Sequence, residues 1–133
     1  MKRILASLLA LYCVTGCAHL IHGRSPSIAF IETADGAVVR ELEFILTDAP
    51  MDTCLSGDWR KAVATSDAQG YTRRPAYIIE DGRLHLLLVN TLCDSYDQYI
   101  GEISGASFVG EHVSVGLGSS VKLGNVTGTY KGP

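Results

Sequence analysis

The chain has 133 residues, of which 47% are hydrophobic and 19% are charged, with 11 Lys and Arg against 14 Asp and Glu. This length accommodates one domain. The net charge of −3 argues against a nucleic-acid-binding protein, which needs clustered basic residues to neutralise phosphates. Fourteen glycines and the low share of charged residues are also atypical of a disordered acidic tail or a helical bundle.

Residues 1–16 are predicted to be a secretory signal peptide. Lys2 and Arg3 precede an apolar stretch over residues 4–14 that only Ser7 interrupts. A basic start followed by a short apolar segment is typical of secretory signals. The apolar stretch is too short to cross a bilayer, because a transmembrane helix needs about 20 apolar residues.

The end of this segment, Val14-Thr15-Gly16-Cys17, resembles the lipobox of bacterial lipoproteins. The resemblance implies that Cys17 carries a diacylglycerol on its thiol, that cleavage follows Gly16, and that a fatty acid such as palmitate acylates the new α-amino group. Several acyl chains anchor a protein stably where one does not. Ala18, in place of the Asp that retains such lipoproteins in the inner membrane, implies the outer membrane.

The mature chain is predicted to begin at Cys17 and to consist of a tether and one domain. Removal of residues 1–16 leaves 9 basic and 14 acidic residues, a net charge of −5. Residues 17–26 form the lipidated N-terminus and a polar tether, and residues 27–133 form a single β domain. The covalent lipid is the only cofactor that we expect.

Two cysteines remain for the domain, Cys54 and Cys93, because Cys13 leaves with the signal peptide and Cys17 is expected to carry the lipid. An even pair in an exported protein indicates a disulfide, since the periplasm is oxidising. The alternative is a metal site that adds His85 and His112. The sequence lacks the closely spaced ligand pairs of structural zinc sites, so we expect the disulfide and no metal.

Asp-Gly pairs at 35–36 and 81–82 lie between strand-like runs and predict two-residue type I′ hairpin turns. The second turn predicts that Glu80 pairs with Arg83. The first turn predicts that Phe30 lies opposite Glu41.

Residues 100–133 contain eight glycines, a density that favours bent strands and tight turns over helices. Residues 56–65 and 94–100 fit a short helix about as well as a strand. We therefore predict an all-β domain, a small antiparallel barrel or sandwich of about seven or eight short strands with at most one or two short helices. Its interior is expected to be filled by side chains, without a large ligand cavity. The expected core includes Leu86, Leu88, Val113 and Leu123.

We find no catalytic motif and predict that the protein is not an enzyme. The chain has no G-x-S-x-G elbow. His85 lies in a Leu-rich strand and is expected to be a partly buried imidazole. His112 lies between Glu111 and Val113, and is expected on the solvent face.

The stretch that follows Cys93 is the candidate partner-binding surface, formed by Tyr96, Asp97 and Tyr99. Tyrosines are frequent anchors at protein interfaces, and a disulfide at Cys93 would hold the stretch in place. The alternative interpretation is a solvated acidic face.

The predicted function is a lipid-anchored binding or envelope-interaction module with an envelope or periplasmic protein as partner and no nucleic acid. The alternative is an inhibitor or immunity lipoprotein that neutralises an enzyme in the periplasm. The segment from Ile103 to Phe108 resembles the Ser-Gly-Ala-aromatic segment of the lysozyme-inhibitor lipoproteins, which also combine a lipobox, a disulfide and a small β-barrel. The resemblance covers too few residues to transfer functional positions.

Overall fold

The computed structural model describes residues 23–133, so the predictions for the signal peptide and for Cys17 lie outside the described residues. The described chain forms eight antiparallel strands and no helix, and the strands close into a barrel in which each strand pairs with the next and the last pairs with the first. The all-β prediction is confirmed, and the architecture is the barrel. The strands are β1 (Ser27–Ala34), β2 (Ala37–Pro50), β3 (Arg60–Ser66), β4 (Ala76–Glu80), β5 (Arg83–Leu92), β6 (Ser95–Ser104), β7 (Ser107–Gly116) and β8 (Ser119–Lys131).

Both predicted Asp-Gly turns are present as two-residue hairpins. At each turn the Asp and the Gly have positive φ, with Asp35 and Asp81 both at 51°, as a type I′ turn requires. The β4–β5 register is as predicted, with Glu80 opposite Arg83. The two segments whose helix or strand character the sequence left open contribute to β3 and β6.

The β1–β2 register differs from the prediction, because Phe30 lies opposite Leu42 and not Glu41. The pairing shifts between Glu32 and Thr33, where β2 contains one extra residue. Such a β-bulge changes which residues face each other without changing the turn.

The barrel interior is a continuous apolar core built around Phe30. The Phe30 ring meets the rings of Tyr99 and Phe108 edge to face, each at a centroid distance of 5.1 Å. Leu86 and Leu88 are fully buried, as predicted. The remaining buried members of this core are Ile28, Leu42, Phe44, Leu46, Ala62, Tyr77, Leu84 and Val126.

The other two predicted core residues do not lie in this interior. Leu123 is 43% exposed, and Val113 is half-buried. The pairing of β7 with β8 shifts between His112 and Val113. The extra residue at this bulge is Leu123 of β8. The buried positions of β7 include Phe108 and His112, so Val113 faces outward by the ordinary alternation of a strand.

The seam between β3 and β4 is the shortest strand pairing in the barrel. Only Arg60 with Tyr77 and Lys61 with Ala76 pair there, whereas β4 pairs with β5 along its whole length. Beyond the pair of Arg60 with Tyr77, β4 continues without β3 as a partner, and a groove of about 400 Å³ lies beside Ile78 and Ile79. The barrel is therefore least firmly closed at this seam.

A second apolar cluster lies outside the barrel wall, beneath the loop that joins β2 to β3. Trp59 in this loop, 6% exposed, packs with Ala76 and Leu87 on the outer face of β4 and β5. Cys54 of the loop forms a disulfide with Cys93 in the β5–β6 turn, with 5.1 Å between the two Cα atoms. The predicted disulfide is confirmed, and it fastens the loop to the barrel.

Candidate functional site

A cluster of polar side chains occupies the end of the barrel farthest from Ser27, and we call it the mouth cluster. β1 begins at Ser27 and carries Glu32 near its far end, where β2 begins and β7 ends. Charged side chains are costly to bury unless they are paired and hydrogen-bonded, so their positions identify the most constrained polar site in the described fold. The members of the mouth cluster are Glu32, Arg40, Tyr71, Asp97, Tyr99 and His112.

Glu32 is the centre of the mouth cluster and is 2% exposed. Its carboxylate accepts hydrogen bonds from Arg40 Nη1 at 2.5 Å, from the Tyr99 hydroxyl at 2.8 Å and from His112 Nδ1 at 2.8 Å. Because the carboxylate accepts this bond, the Nδ1 atom of His112 carries the hydrogen. Three donors and one opposite charge compensate for the burial of this carboxylate.

Tyr71, in the β3–β4 loop, covers the cluster. Its hydroxyl donates to Asp97 Oδ2 at 2.6 Å. The guanidinium carbon of Arg40 lies 3.7 Å from the centre of the Tyr71 ring, a favourable cation–π contact. Tyr71 therefore ties the loop to both β2 and β6.

Asp67 holds the β3–β4 loop in the conformation that places Tyr71 over the mouth. Its carboxylate accepts hydrogen bonds from the backbone N–H groups of Tyr71 and Thr72 and from the Thr72 hydroxyl. Burial alone would raise the pKa of Asp67, but these hydrogen bonds to the charged form outweigh it, and the pKa is lowered. The loop is thus organised around an ionised carboxylate at neutral pH.

The protonation states in the cluster follow from burial and from the neighbouring charges. Burial, and then the hydrogen bond to Glu32, raise the pKa of Tyr99. Burial, and then the hydrogen bond to Asp97, raise the pKa of Tyr71. Both phenols therefore remain neutral donors at physiological pH. Burial tends to lower the pKa of Arg40, but its contacts with Tyr99 and Glu32 raise it overall, and the guanidinium stays charged.

The Glu32–His112 pair resembles the carboxylate–imidazole arrangement of general bases, but its position suits a structural role. His112 is 1% exposed, and its Nε2 atom has no hydrogen-bond partner among the described residues. A general base must reach the proton that it removes from a substrate. The Tyr71 ring lies edge to face against the His112 ring at 6.0 Å. Because the imidazole is buried, the arrangement suits a structural role at the mouth of the barrel.

The structure separates the three residues of the predicted partner-binding surface. Asp97 and Tyr99 face inward and belong to the mouth cluster, and Tyr99 is fully buried. Tyr96 faces outward and packs against the cluster of Trp59. The prediction that Tyr99 lies on the surface with Tyr96 is wrong, because residues three apart point to opposite faces of a strand.

His85 and His112 lie on different strands, β5 and β7. His112, expected on the solvent face, faces the interior. His85 is partly buried, as predicted, and lies between Ile78 and Ile100 of the neighbouring strands. Burial, and then the positive charge of Arg83, lower the pKa of His85. Among residues 23–133, no group of three or more His, Cys, Asp and Glu side chains is arranged to hold a metal ion.

Glu32, Arg40 and Tyr71 were not predicted to be members of a site. Glu32 follows Ile28 and Phe30 at inward-facing positions of β1. A carboxylate that continues an apolar alternation is a signal of a buried charge. Its partners on β2, β6 and β7 can be identified only once the register of the whole barrel is known.

In the part of the chain that the structure describes, no helix is long and apolar enough to cross a membrane. Comparisons with protein-family models, with curated proteins and with solved structures find no match to the chain.

Proposed function

We propose that this protein is a non-enzymatic lipoprotein anchored in the outer membrane through Cys17, and that its barrel binds another envelope protein. The observation that carries the binding role is that side chains fill the barrel. Aromatic rings pack in its middle, and the mouth cluster closes one end. We therefore expect such a barrel to recognise a partner protein through its outer surface and not to bind a ligand in an internal cavity.

The β7–β8 hairpin is the part of the outer surface that best fits a partner. Leu117 at its turn is 87% exposed, and Val121 on β8 is 57% exposed. Exposed apolar side chains at a projecting turn favour association, because a partner removes them from water. Nearby, Lys122 donates to Glu111 at 2.8 Å and gives this apolar tip a charged border.

The position of this hairpin also fits an anchored protein. Ser27 pairs with Lys131 at one end of the barrel, and the β7–β8 turn lies at the other end of β8. A lipid on Cys17 would therefore hold the end that contains Ser27 near the membrane. The Leu117 tip would face away from the membrane, toward proteins in the adjacent compartment.

The binding role is tested by capture of envelope proteins on the detergent-solubilised full chain. Leu117→Asn should reduce recovery of the partner about ten-fold, corresponding to about 1.4 kcal/mol of lost apolar contact. The matched control is Val109→Asn, because Val109 is 65% exposed on the same β-hairpin but near its other end. Equal recovery with both variants would reject the hairpin as the binding site.

The identity of the captured protein separates the two functions. A single enzyme whose activity falls when the barrel binds would support the inhibitor alternative. A structural envelope protein would support the envelope-interaction module.

The anchor is tested separately by intact-mass measurement of the membrane-extracted protein. We expect an N-terminus at Cys17 that carries acyl mass, and Cys17→Ser should abolish that mass. An unmodified, water-soluble chain that begins before Cys17 would contradict the anchor and leave the binding test unaffected.

A further inference from the structure

The disulfide between Cys54 and Cys93 is open to solvent, since both residues are exposed. Both cysteines also lie outside the strands, Cys54 in the β2–β3 loop and Cys93 in the β5–β6 turn. We call residues 51–59 of that loop the flap. The disulfide joins the flap to a part of the barrel that is distant in sequence.

Apart from the covalent disulfide, few polar contacts hold the flap on the barrel wall. Most of its hydrogen bonds are internal, such as the bond from Met51 N to Trp59 O at the base and the bond from Trp59 Nε1 to Ser56 O. One bond links it to β5, from Asn90 Nδ2 to the Asp52 carbonyl at 3.4 Å. The flap is therefore held by the disulfide and by apolar packing, and loss of the cross-link lowers the free-energy cost of local opening.

The surface beneath the flap is apolar. Trp59 covers Ala76 and Leu87, which are 0% and 1% exposed, beside the half-buried Ile78 and Tyr96, and Met51 and Leu55 of the flap pack on the same cluster. The wall residues of this cluster lie on the outer face of the barrel, separate from the interior core. Movement of the flap would uncover this apolar wall without opening the barrel.

We propose that the Cys54–Cys93 disulfide is a redox site for dithiol reductants, and that its reduction releases the flap and exposes the apolar wall beneath Trp59. A thiolate of the reductant attacks one sulfur and breaks the bond between Cys54 and Cys93. A mixed disulfide forms, and the other cysteine leaves as a thiolate that takes up a proton. The second thiol of the reductant then displaces the first cysteine. The reductant ends as a disulfide, and the protein gains two electrons and two protons.

The barrel is expected to persist in the reduced protein. The β5–β6 ladder extends from Arg83 opposite Glu102 to Leu92 opposite Ser95, so the turn that carries Cys93 is closed by backbone pairing as well. Likewise, Pro50 pairs with Arg60 at the base of the flap. The change is therefore confined to residues between these two pairs.

Trp59 is the only tryptophan of the chain and reports on the flap directly. The full chain in detergent is treated with dithiothreitol, and acrylamide quenching, emission wavelength and far-UV circular dichroism are measured. We expect quenching of Trp59 to rise about two-fold or more with an emission shift to longer wavelength, because an indole that is 6% exposed becomes accessible on local opening. The far-UV spectrum should stay unchanged.

The double variant Cys54→Ser/Cys93→Ser is the matched control. It should show the high quenching without reductant and no further change when dithiothreitol is added. If this variant does not fold, reduction of the folded wild-type chain still provides the measurement.

Three outcomes would overturn the proposal. The first is a Trp59 that remains protected after mass spectrometry shows complete reduction. The second is loss of the β signal on reduction, which would mean that the disulfide holds the barrel and not the flap. The third is reduction that proceeds only at denaturant concentrations that unfold the barrel.

Discussion

Substitution of Glu32 by Gln removes the charge at the centre of the mouth cluster and keeps the shape of the side chain. The wild-type carboxylate accepts from three donors, Arg40, Tyr99 and His112. An amide has only one oxygen to accept with, and its NH₂ group would point at one of these donors. The substitution therefore leaves a guanidinium without its counter-charge and at least one donor without an acceptor.

The expected cost follows from the burial of the two charges. The side chain of Glu32 is 3% exposed and that of Arg40 is 16% exposed. Removal of one partner from a buried ion pair costs about 3–5 kcal/mol. Because Arg40 keeps some contact with water and with the Tyr71 ring, we expect a loss of about 3 kcal/mol in the free energy of unfolding. A second substitution, Arg40→Leu, removes the uncompensated charge and should restore part of that loss.

Urea unfolding followed by far-UV circular dichroism measures both variants. The matched control is Glu111→Gln, since the Glu111–Lys122 pair has side chains that are 49% and 47% exposed. Exposed ion pairs contribute about 0–1 kcal/mol. A loss in Glu32→Gln that equals the loss in Glu111→Gln would refute the assignment of the mouth cluster as a buried, mutually dependent network.

Three further results are expected. Gly110→Ala should lower the unfolding free energy by about 2–3 kcal/mol, because the new Cβ would collide with the backbone of β6. Gly116→Ala should cost little, because the space around Gly116 is open. Thermal unfolding of both variants checks this difference. The pKa of His85 is lowered from its ordinary value of 6.5, so the unfolded chain binds the proton more tightly than the folded chain. The stability contributed by neutral His85 is therefore full above pH 6.5 and declines as the pH falls below it. Urea midpoints at several pH values should fall less steeply on acidification in His85→Gln; an unchanged slope would contradict the lowered pKa. The double variant Cys54→Ser/Cys93→Ser should have a free energy of unfolding about 3–4 kcal/mol lower than that of the wild type, as expected for a sequence separation of 39 residues. Chemical denaturation measures this difference, and a loss below about 1 kcal/mol would count against an entropic role of the cross-link.

Local turn chemistry made much of the fold predictable. An Asp-Gly pair adopts positive φ at both positions at little cost, and this restricts the hairpin to one turn type and one register. The pairing of Glu80 with Arg83 therefore followed from two residues. The disulfide followed from the count of cysteines in a chain that was predicted to be exported. Neither inference needed the tertiary structure.

Strand alternation accounts for the error at Val113 in the predicted core. Successive side chains of a strand point to opposite faces, so burial of one residue places the next one outside. His112 is buried, and Val113 therefore faces outward. Alternating hydrophobicity over residues 113–117 gave the opposite interpretation, since exposed apolar residues such as Leu117 maintain a regular pattern on a hairpin that extends past the barrel.

The mouth cluster could not be predicted from the sequence for a different reason. Glu32 and His112 are separated by 80 residues, and Tyr71 reaches the site from a loop. Contacts of that range depend on closure of β1 against β8, which no local pattern encodes. Asp97 and Tyr99, which were predicted to form a partner-binding surface, belong to this site instead, because the strand turns their side chains inward.

The order of the strands around the barrel also determines how the domain bears mechanical load. A pull transmitted through the segment that precedes Ser27 enters β1, which is paired with β2 on one side and with β8 on the other, from Ser27 to Thr33 in both ladders. The force acts along these strands and loads many hydrogen bonds at once in shear. The seam between β3 and β4, with only two residue pairs, lies away from this line of force. A barrel held by its N-terminal end should therefore resist extension far better than the strength of its weakest seam suggests.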